Sequence, residues 1–264
     1  MKITLIGSGN LATSLGVALY KAGHEILQVF SRTTTAADTL ARSLQAPLIA
    51  TQVTEINTHS DLYIVALTDT ALQQLAPSLG HHLPTKLLVH TAGSLPLDTL
   101  INPRRGVFYP LQTFSKQRVL PFNEIPIFIE ANNPADLQIL HSLAHQLSTI
   151  VYTLSSSERT ILHLAAVFSC NFTNHCYTLA ARLLQQHSLP FNILLPLIRE
   201  TVAKLEHLTP EQAQTGPARR HDHAVIQQHL NMLDKYGDSP IKNVYRLMTE
   251  SIEISSNPYN NYHD

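Results

Sequence analysis

The stretch MKITLIGSGNLATSLGVALYKAGHEI, residues 1–26, decides how this chain is read. Ile3 to Ile6 form an apolar run too short for a helix and stopped by glycine, which is the pattern of a buried strand. Gly7, Gly9 and Ala12 follow in G-x-G-x-x-G/A spacing, and Leu11, Leu15, Ala18 and Leu19 recur with helical period until KAGHE ends the segment. A second strand, EILQVF, comes next. In this strand–turn–helix–strand setting each position has a physical task. Gly7 allows the tight turn, Gly9 lets backbone approach a pyrophosphate, and small Ala12 permits close helix–strand packing. The amides at the helix start then hold phosphate. Gly7, Ser8, Gly9, Asn10, Leu11 and Ala12 are therefore the expected phosphate loop of a dinucleotide site.

About 20 residues beyond such glycines, an acidic side chain accepts the ribose hydroxyls of NAD, whereas arginine accommodates the 2′-phosphate of NADP. Here the second strand runs from Phe30 into Ser31, Arg32 and Thr33, with no carboxylate. Hydroxyls and a guanidinium suit a phosphate dianion, so NADP is the expected cofactor. A solvated loop with a helix N-cap among Thr33 to Thr35 would account for the same residues.

Strand and helix signals then alternate through DLYIVALTD, KLLVHTAGS, GVFYPLQ and IPIFIE. This alternation predicts a Rossmann-type α/β fold, a doubly wound parallel sheet that binds ligands beyond the carboxyl ends of its strands. Leu67, Thr68, Asp69, Thr91, Ala92 and Gly93 are accordingly expected to touch the cofactor, and Ser94 and Gln112 the substrate. Ordinary turn chemistry also favours Asp, Thr, Ser and Gly at such places.

After IVYTLSS the strand signals stop, dividing a nucleotide-binding domain, residues 1–154, from an all-α domain, residues 155–264. Ser155-x-x-Glu158 is a capping box opening a helix to about His187. Further helices are expected at about 191–208, 209–215, 222–235 and 239–254, before a loose tail. The long helix is apolar on nearly every side, so its own domain or a second subunit must bury it, and a homodimer is expected. At about 100° per residue, His163, Val167, Cys170 and Asn174 share one stripe, with Asn171 about 80° round from His163. His163, Asn171 and Asn174 are the candidate catalytic residues: imidazole titrates near neutrality, and an amide orients a carbonyl or imine. Tyr177 could extend this polar line toward substrate. A structural role for His163, bonding a buried carbonyl, fits the sequence equally.

Composition limits the remaining classes. With 14% charged residues and a formal net charge of −1, nothing supports a nucleic-acid or anionic-membrane partner. No signal peptide precedes the first strand and no apolar run is long enough to span a bilayer, so a cytoplasmic protein acting on a small molecule is expected. Cys170 and Cys176 point to different faces of the helix and read as reduced core residues. No metal is expected, because HH at 81–82 and HDH at 221–223 lack the spacing of a zinc site.

The order of GSGNLA, SRT, HTAGS, FYPLQTFSK, NFTNH and TGPARRHD resembles, over nearly the whole chain, a family of Rossmann-like proteins with a C-terminal helical domain of unknown function, described as NADP oxidoreductases. More distantly, the layout is similar to pyrroline-5-carboxylate reductase and the β-hydroxyacid dehydrogenases. That likeness implies that HTAGS and YPLQ reach the nicotinamide, that the long helix faces the site of hydride transfer, and that Arg220 of TGPARRHD contributes to the substrate site. Two departures stand out. The β-hydroxyacid dehydrogenases carry a lysine on the corresponding helix, whereas none occurs here between Lys116 and Lys204. His221 stands where the family loop leads one to expect glycine, so a different loop backbone is expected. The implied activity is an NADP-dependent oxidoreduction of a small carbonyl, imine or hydroxy compound. A non-catalytic NADP-binding sensor or scaffold is the alternative.

Overall fold

The computed structural model describes residues 1–118, 120–237 and 239–256, so the tail expected to be loose lies, from residue 257 on, outside the described residues. The first strands and helices alternate as β1 Lys2–Ile6, α1 Asn10–Lys21, β2 Glu25–Phe30, α2 Thr34–Ser43, β3 Leu48–Ala50, β4 Leu62–Val65, α3 Asp69–His82, β5 Leu87–His90 and β6 Arg105–Pro110. They are followed by β7 Ile127–Ala131, α4 Pro134–Leu147, β8 Val151–Thr153 and α5 Ser156–Ala166. One sheet holds the strands in the order β3-β2-β1-β4-β5-β6-β7-β8. Strands β1 to β6 are parallel and turn about β1 and β4, the doubly wound arrangement that the sequence predicts.

Successive residues of the central strands point to opposite faces. Leu62 and Ile64 join Ile3, Leu5 and Val89 in one core, while Tyr63 and Val65 join Ile6, Leu72 and Leu88 in the other. Burial on both faces explains why these strands read as unbroken apolar runs. The pattern does not reveal that β7 and β8 run against the rest. β6 pairs with β7 antiparallel, with Val107 opposite Glu130 and Tyr109 opposite Phe128. The connection, residues 111–126, contains no helix among its described residues, so the chain doubles back rather than crossing over. α4 then supplies the crossover that makes β7 and β8 parallel to each other.

The chain divides into two compact units, Met1–Phe172 and Thr173–Asp264. In the first, the Ser155–Glu158 capping box forms as expected: the Ser155 amide donates to the Glu158 carboxylate at 2.8 Å, and Ser155 Oγ accepts from the Glu158 amide at 3.3 Å. The helix it opens is not uniformly α. Val167–Phe172 winds as a π-helix.

The second unit contains α6 Thr173–Gln185, α7 Leu195–Ala203, α8 Pro210–Ala213, α9 His223–Lys235 and α10 Ser239–Ser255, around a small core of Leu179, Leu233 and Ile241. Thr209 and Gln212 make a further reciprocal capping box. His221 has φ 53°, the left-handed conformation that glycine adopts most cheaply.

Ile161, Leu164, Phe168 and Phe172 of the long helix are each more than half exposed in the single chain, which leaves a second subunit as the remaining way to bury them. One expectation about this helix needs correction: its cysteines are not core residues, since Cys170 is half-buried and Cys176 exposed. Among the described residues no helix is long and apolar enough to cross a membrane.

His90, at the end of β5, is fully buried. The Ala92 amide donates to its Nδ1 at 3.2 Å, so Nε2 carries the proton and donates to the Pro96 carbonyl, also at 3.2 Å. Burial, reinforced by the Arg159 charge, pushes its pKa down from 6.5 to about 4. Between those values the unfolded chain binds a proton that the folded chain refuses, so stability is retained above pH 6.5 and falls as pH drops toward 4. The linkage amounts to about 3 kcal/mol over the whole window. In urea titrations, His90→Asn should lose about 2 kcal/mol less stability than wild type between pH 7 and pH 4.5. Parallel losses would show that His90 is not the buried titrating group.

Candidate active site

Gly7 sits at φ 127°, and a Cβ there would stand 2.1 Å from the Ala66 carbonyl oxygen, so the turn accepts no other residue. Gly9 differs. Its backbone is ordinary (φ −75°), and a Cβ would meet nothing within 4 Å, so open space lies beside the start of α1. As the N-cap, Gly9 offers that helix no side-chain acceptor, and its first turn carries no acid. The amide donors and positive end of the helix dipole are thus left for a ligand anion. Ala12 is fully buried against the sheet. Asn10 is tied by its Nδ2 to the Phe114 carbonyl at 3.1 Å, linking the glycine loop to the segment after β6.

The Ser8 hydroxyl donates to buried Ser31 at 2.9 Å, fixing the end of β2 to the same loop. Arg32 is exposed and its guanidinium has no partner among the described residues. Thr33 occupies the N-cap position of α2, yet its side chain makes no capping bond. The capping explanation for these residues is therefore not realised through Thr33. Thr68 likewise begins α3 without a side-chain cap. Leu67 packs against the core on that side of the sheet, and Asp69 accepts a hydrogen bond from Ser94. The Thr91 amide bonds the Val65 carbonyl at 3.2 Å, and Ala92 is buried, fixing the path of the loop after β5.

That loop explains Gly93. A Cβ on it would lie 2.6 Å from His163 Nδ1 and 2.7 Å from Tyr109 Cζ, so glycine brings the backbone against both rings. Tyr109 Oη and His163 Nδ1 are 3.0 Å apart. Burial pushes the Tyr109 pKa up to about 12, opposed in part by the Arg159 charge. Tyr109 and His163 line a cavity of about 470 Å³ together with Asn10 and Leu11 of the glycine loop, residues 110–114, Ala166, Ser169, Cys170 and Asn171. Gln112 is among these residues, as expected. The π-helical turn decides which asparagine joins them. Its wider winding advances each residue by less than an α-helix does, so Asn171 is turned back toward the direction of His163. The α-periodic stripe drawn through Asn174 is thereby replaced by one through Asn171. Asn174, Tyr177 and Arg220 belong to the second unit, whereas every residue lining this cavity belongs to the first.

Residues 2–93 match the family described as "NADP oxidoreductase coenzyme F420-dependent", and residues 125–252 match "Domain of unknown function (DUF2520)". A solved structure from Bacteroides fragilis, assigned as a candidate NADP oxidoreductase, is 48% identical, with 96% of this chain and 97% of that chain covered and a TM-score of 0.89. The chain belongs to this NADP oxidoreductase family. A Thermotoga maritima protein shares the fold at 20% identity over 96% of this chain and 99% of that one, with a TM-score of 0.80. An imine reductase from Myxococcus stipitatus, solved with NADP⁺, does so at 17% identity over 97% and 93%, with a TM-score of 0.68. No curated protein matches the chain.

In this family member the sequence reading missed Arg159, one helical turn before His163. Its side chain is 1% exposed and pairs with Glu130 of β7. Its Nη2 also donates to the Leu95 carbonyl at 2.7 Å, and Glu130 accepts from the Ser156 amide at 3.0 Å. One guanidinium thus joins α5 to the sheet and to the loop carrying Gly93. Arg159 stands in the polar first turn of α5, among Ser156, Ser157, Glu158 and Thr160, and nothing local marks it as buried. Arg159→Leu leaves the Glu130 carboxylate without its counter-ion and should cost about 3 kcal/mol or more in urea unfolding, while adding Glu130→Leu should restore part of the loss. Simple addition of the two losses would show that the pair does not act as a unit.

Proposed function

We propose that this protein is a cytoplasmic, NADP-dependent oxidoreductase that acts on a small carbonyl, imine or hydroxy compound and works as a homodimer. The observation that carries the reading is the cavity in which Asn10 and Leu11, at the helix start suited to phosphate, meet Tyr109, His163 and Asn171. Gly7 to Ala12 would hold the pyrophosphate, and Ser31, Arg32 and Thr33 the 2′-phosphate, their uncommitted groups fitting an anion. When bound, the nicotinamide supplies or accepts the hydride. The chain's own part is to orient the reacting oxygen or nitrogen through Asn171 and to move a proton at His163. A sensor or scaffold needs no imidazole in the cavity that the phosphate loop enters, and this favours the enzyme.

The test is a screen of the purified protein with NADPH against imines, ketones and aldehydes, followed by nicotinamide absorbance. With an active substrate, His163→Gln should lower turnover by about 10²-fold while retaining cofactor affinity and melting temperature. Arg32→Ala should weaken NADPH binding by about 10- to 150-fold and leave NADH nearly unchanged. Equal losses for both cofactors would remove Arg32 from phosphate recognition. No turnover across the panel, with tight NADPH binding, would favour the sensor.

The homodimer reading rests on the exposed row Ile161, Leu164, Phe168 and Phe172, apolar surface that a second copy would remove from water. Light scattering should give twice the 29.3 kDa chain mass at micromolar concentration. A monomer at every concentration tested would eliminate it.

A further inference from the structure

We infer that Tyr109 is a positioning residue for His163, its hydroxyl donating to Nδ1 so that the imidazole proton sits on Nε2. The inference rests on the proposed role of His163 as the group that moves the substrate's proton.

Two bonds are geometrically open at 3.0 Å, O–H to nitrogen or N–H to oxygen, and burial decides between them. Tyr109 is 8% exposed, and His163 Nδ1 is the hydrogen-bond partner of its hydroxyl. If Nδ1 carried the proton, the phenol O–H would have no acceptor among the described residues and would depend on water or a ligand in the cavity. An unused lone pair on the oxygen costs less than an unmade donor, so the O–H-to-Nδ1 arrangement, which satisfies the donor within the protein, is favoured. His163 is half-buried, and its Nε2–H can be met by water or by a ligand. Burial also keeps the phenol protonated, because ionisation is deferred to about 12.

Tyr109 is held in this position from three sides. Its backbone is in the β6–β7 ladder, its ring packs against Phe128 with centroids 6.3 Å apart, and the His163 ring meets it edge-on at 6.0 Å. Gly93 closes the fourth side with bare backbone.

The arrangement defines a balanced proton path for reduction. As hydride reaches the substrate carbon, Nε2–H breaks while an O–H or N–H bond forms on the substrate. Tyr109 O–H breaks while Nδ1–H forms, so the imidazole stays neutral. The phenolate left behind, whose charge Arg159 offsets, regains its proton from water.

Nitrogen-detected NMR of ¹⁵N-histidine-labelled protein above pH 7.5, with His163→Gln assigning the signal, reads the tautomer without any substrate. The expected result is a single Nε2–H tautomer in wild type and a mixture in Tyr109→Phe. A second variant, Gly93→Ala, puts a methyl group against the bond and should mix the tautomers without altering either partner. A wild-type Nδ1–H tautomer overturns the inference even if neither variant folds, and so does an unchanged tautomer in Tyr109→Phe. Where the screen has supplied a substrate, Tyr109→Phe should lower turnover by about tenfold or more with the KM for NADPH unchanged, and full turnover overturns the relay. If no substrate is turned over, the proposed reaction fails while the tautomer result stands by itself.

Discussion

The buried guanidinium of Arg159 is the constraint on which the site depends. Placing a full charge in the interior is costly unless it is paired and hydrogen-bonded, and the chain pairs it with Glu130 and the Leu95 carbonyl, leaving only Nε without a partner among the described residues. Both partners come from other elements, so satisfying the charge also fixes α5 against β7 and against the loop after β5. The same charge then acts beyond its bonds. It helps to keep His90 neutral and opposes the effect of burial on Tyr109.

The reversal of β7 makes this pairing available. Because β6 and β7 are antiparallel, Tyr109 and Val107 of one strand share a face with Phe128 and Glu130 of the other. That face meets α5, which starts near Glu130 and, one turn beyond Arg159, brings His163 to Tyr109. A parallel β7 would have set Glu130, its one carboxylate, in a different register against β6. The family resemblance supplied the loops that approach the site, but the pairing of Tyr109 with His163 follows from strand direction.

The readable and unreadable parts of the sequence divide along physical lines. Local requirements were legible: Gly7 needs its φ, Ser155 and Glu158 cap reciprocally, and two-faced burial writes unbroken apolar strands such as LYIV. Strand direction was not, because it depends on what joins two strands and not on the strands themselves. The π turn was also hidden, since VFSCNF contains nothing that forbids α winding, and so the expected stripe ran to Asn174. Arg159 was not singled out, because its partner lies 29 residues away in another element. Gly93 was expected to touch the cofactor, and the close approach of its backbone to the His163 and Tyr109 rings was not legible.

The helix starts of the first unit carry the argument one step further. α1, α2 and α3 all begin at the carboxyl edge of the sheet, and the N-cap residues Gly9, Thr33 and Thr68 provide no side-chain cap. α4 and α5 begin at the opposite edge, and there Asn133 and Ser155 do cap, accepting from the amides of Asp136 and Glu158. A missing cap typically costs about 1 kcal/mol, and threonine is among the residues best able to supply one. At Thr33 and Thr68 the acceptor is present but makes no capping bond, so composition does not explain the contrast. It follows the edge of the sheet: at the edge away from the glycine loop, the N-cap side chains of α4 and α5 satisfy an amide of the first turn. At the edge where β1, β2 and β4 end, those amides stay free beside unpaired Arg32, as the binding of a multiply charged cofactor requires.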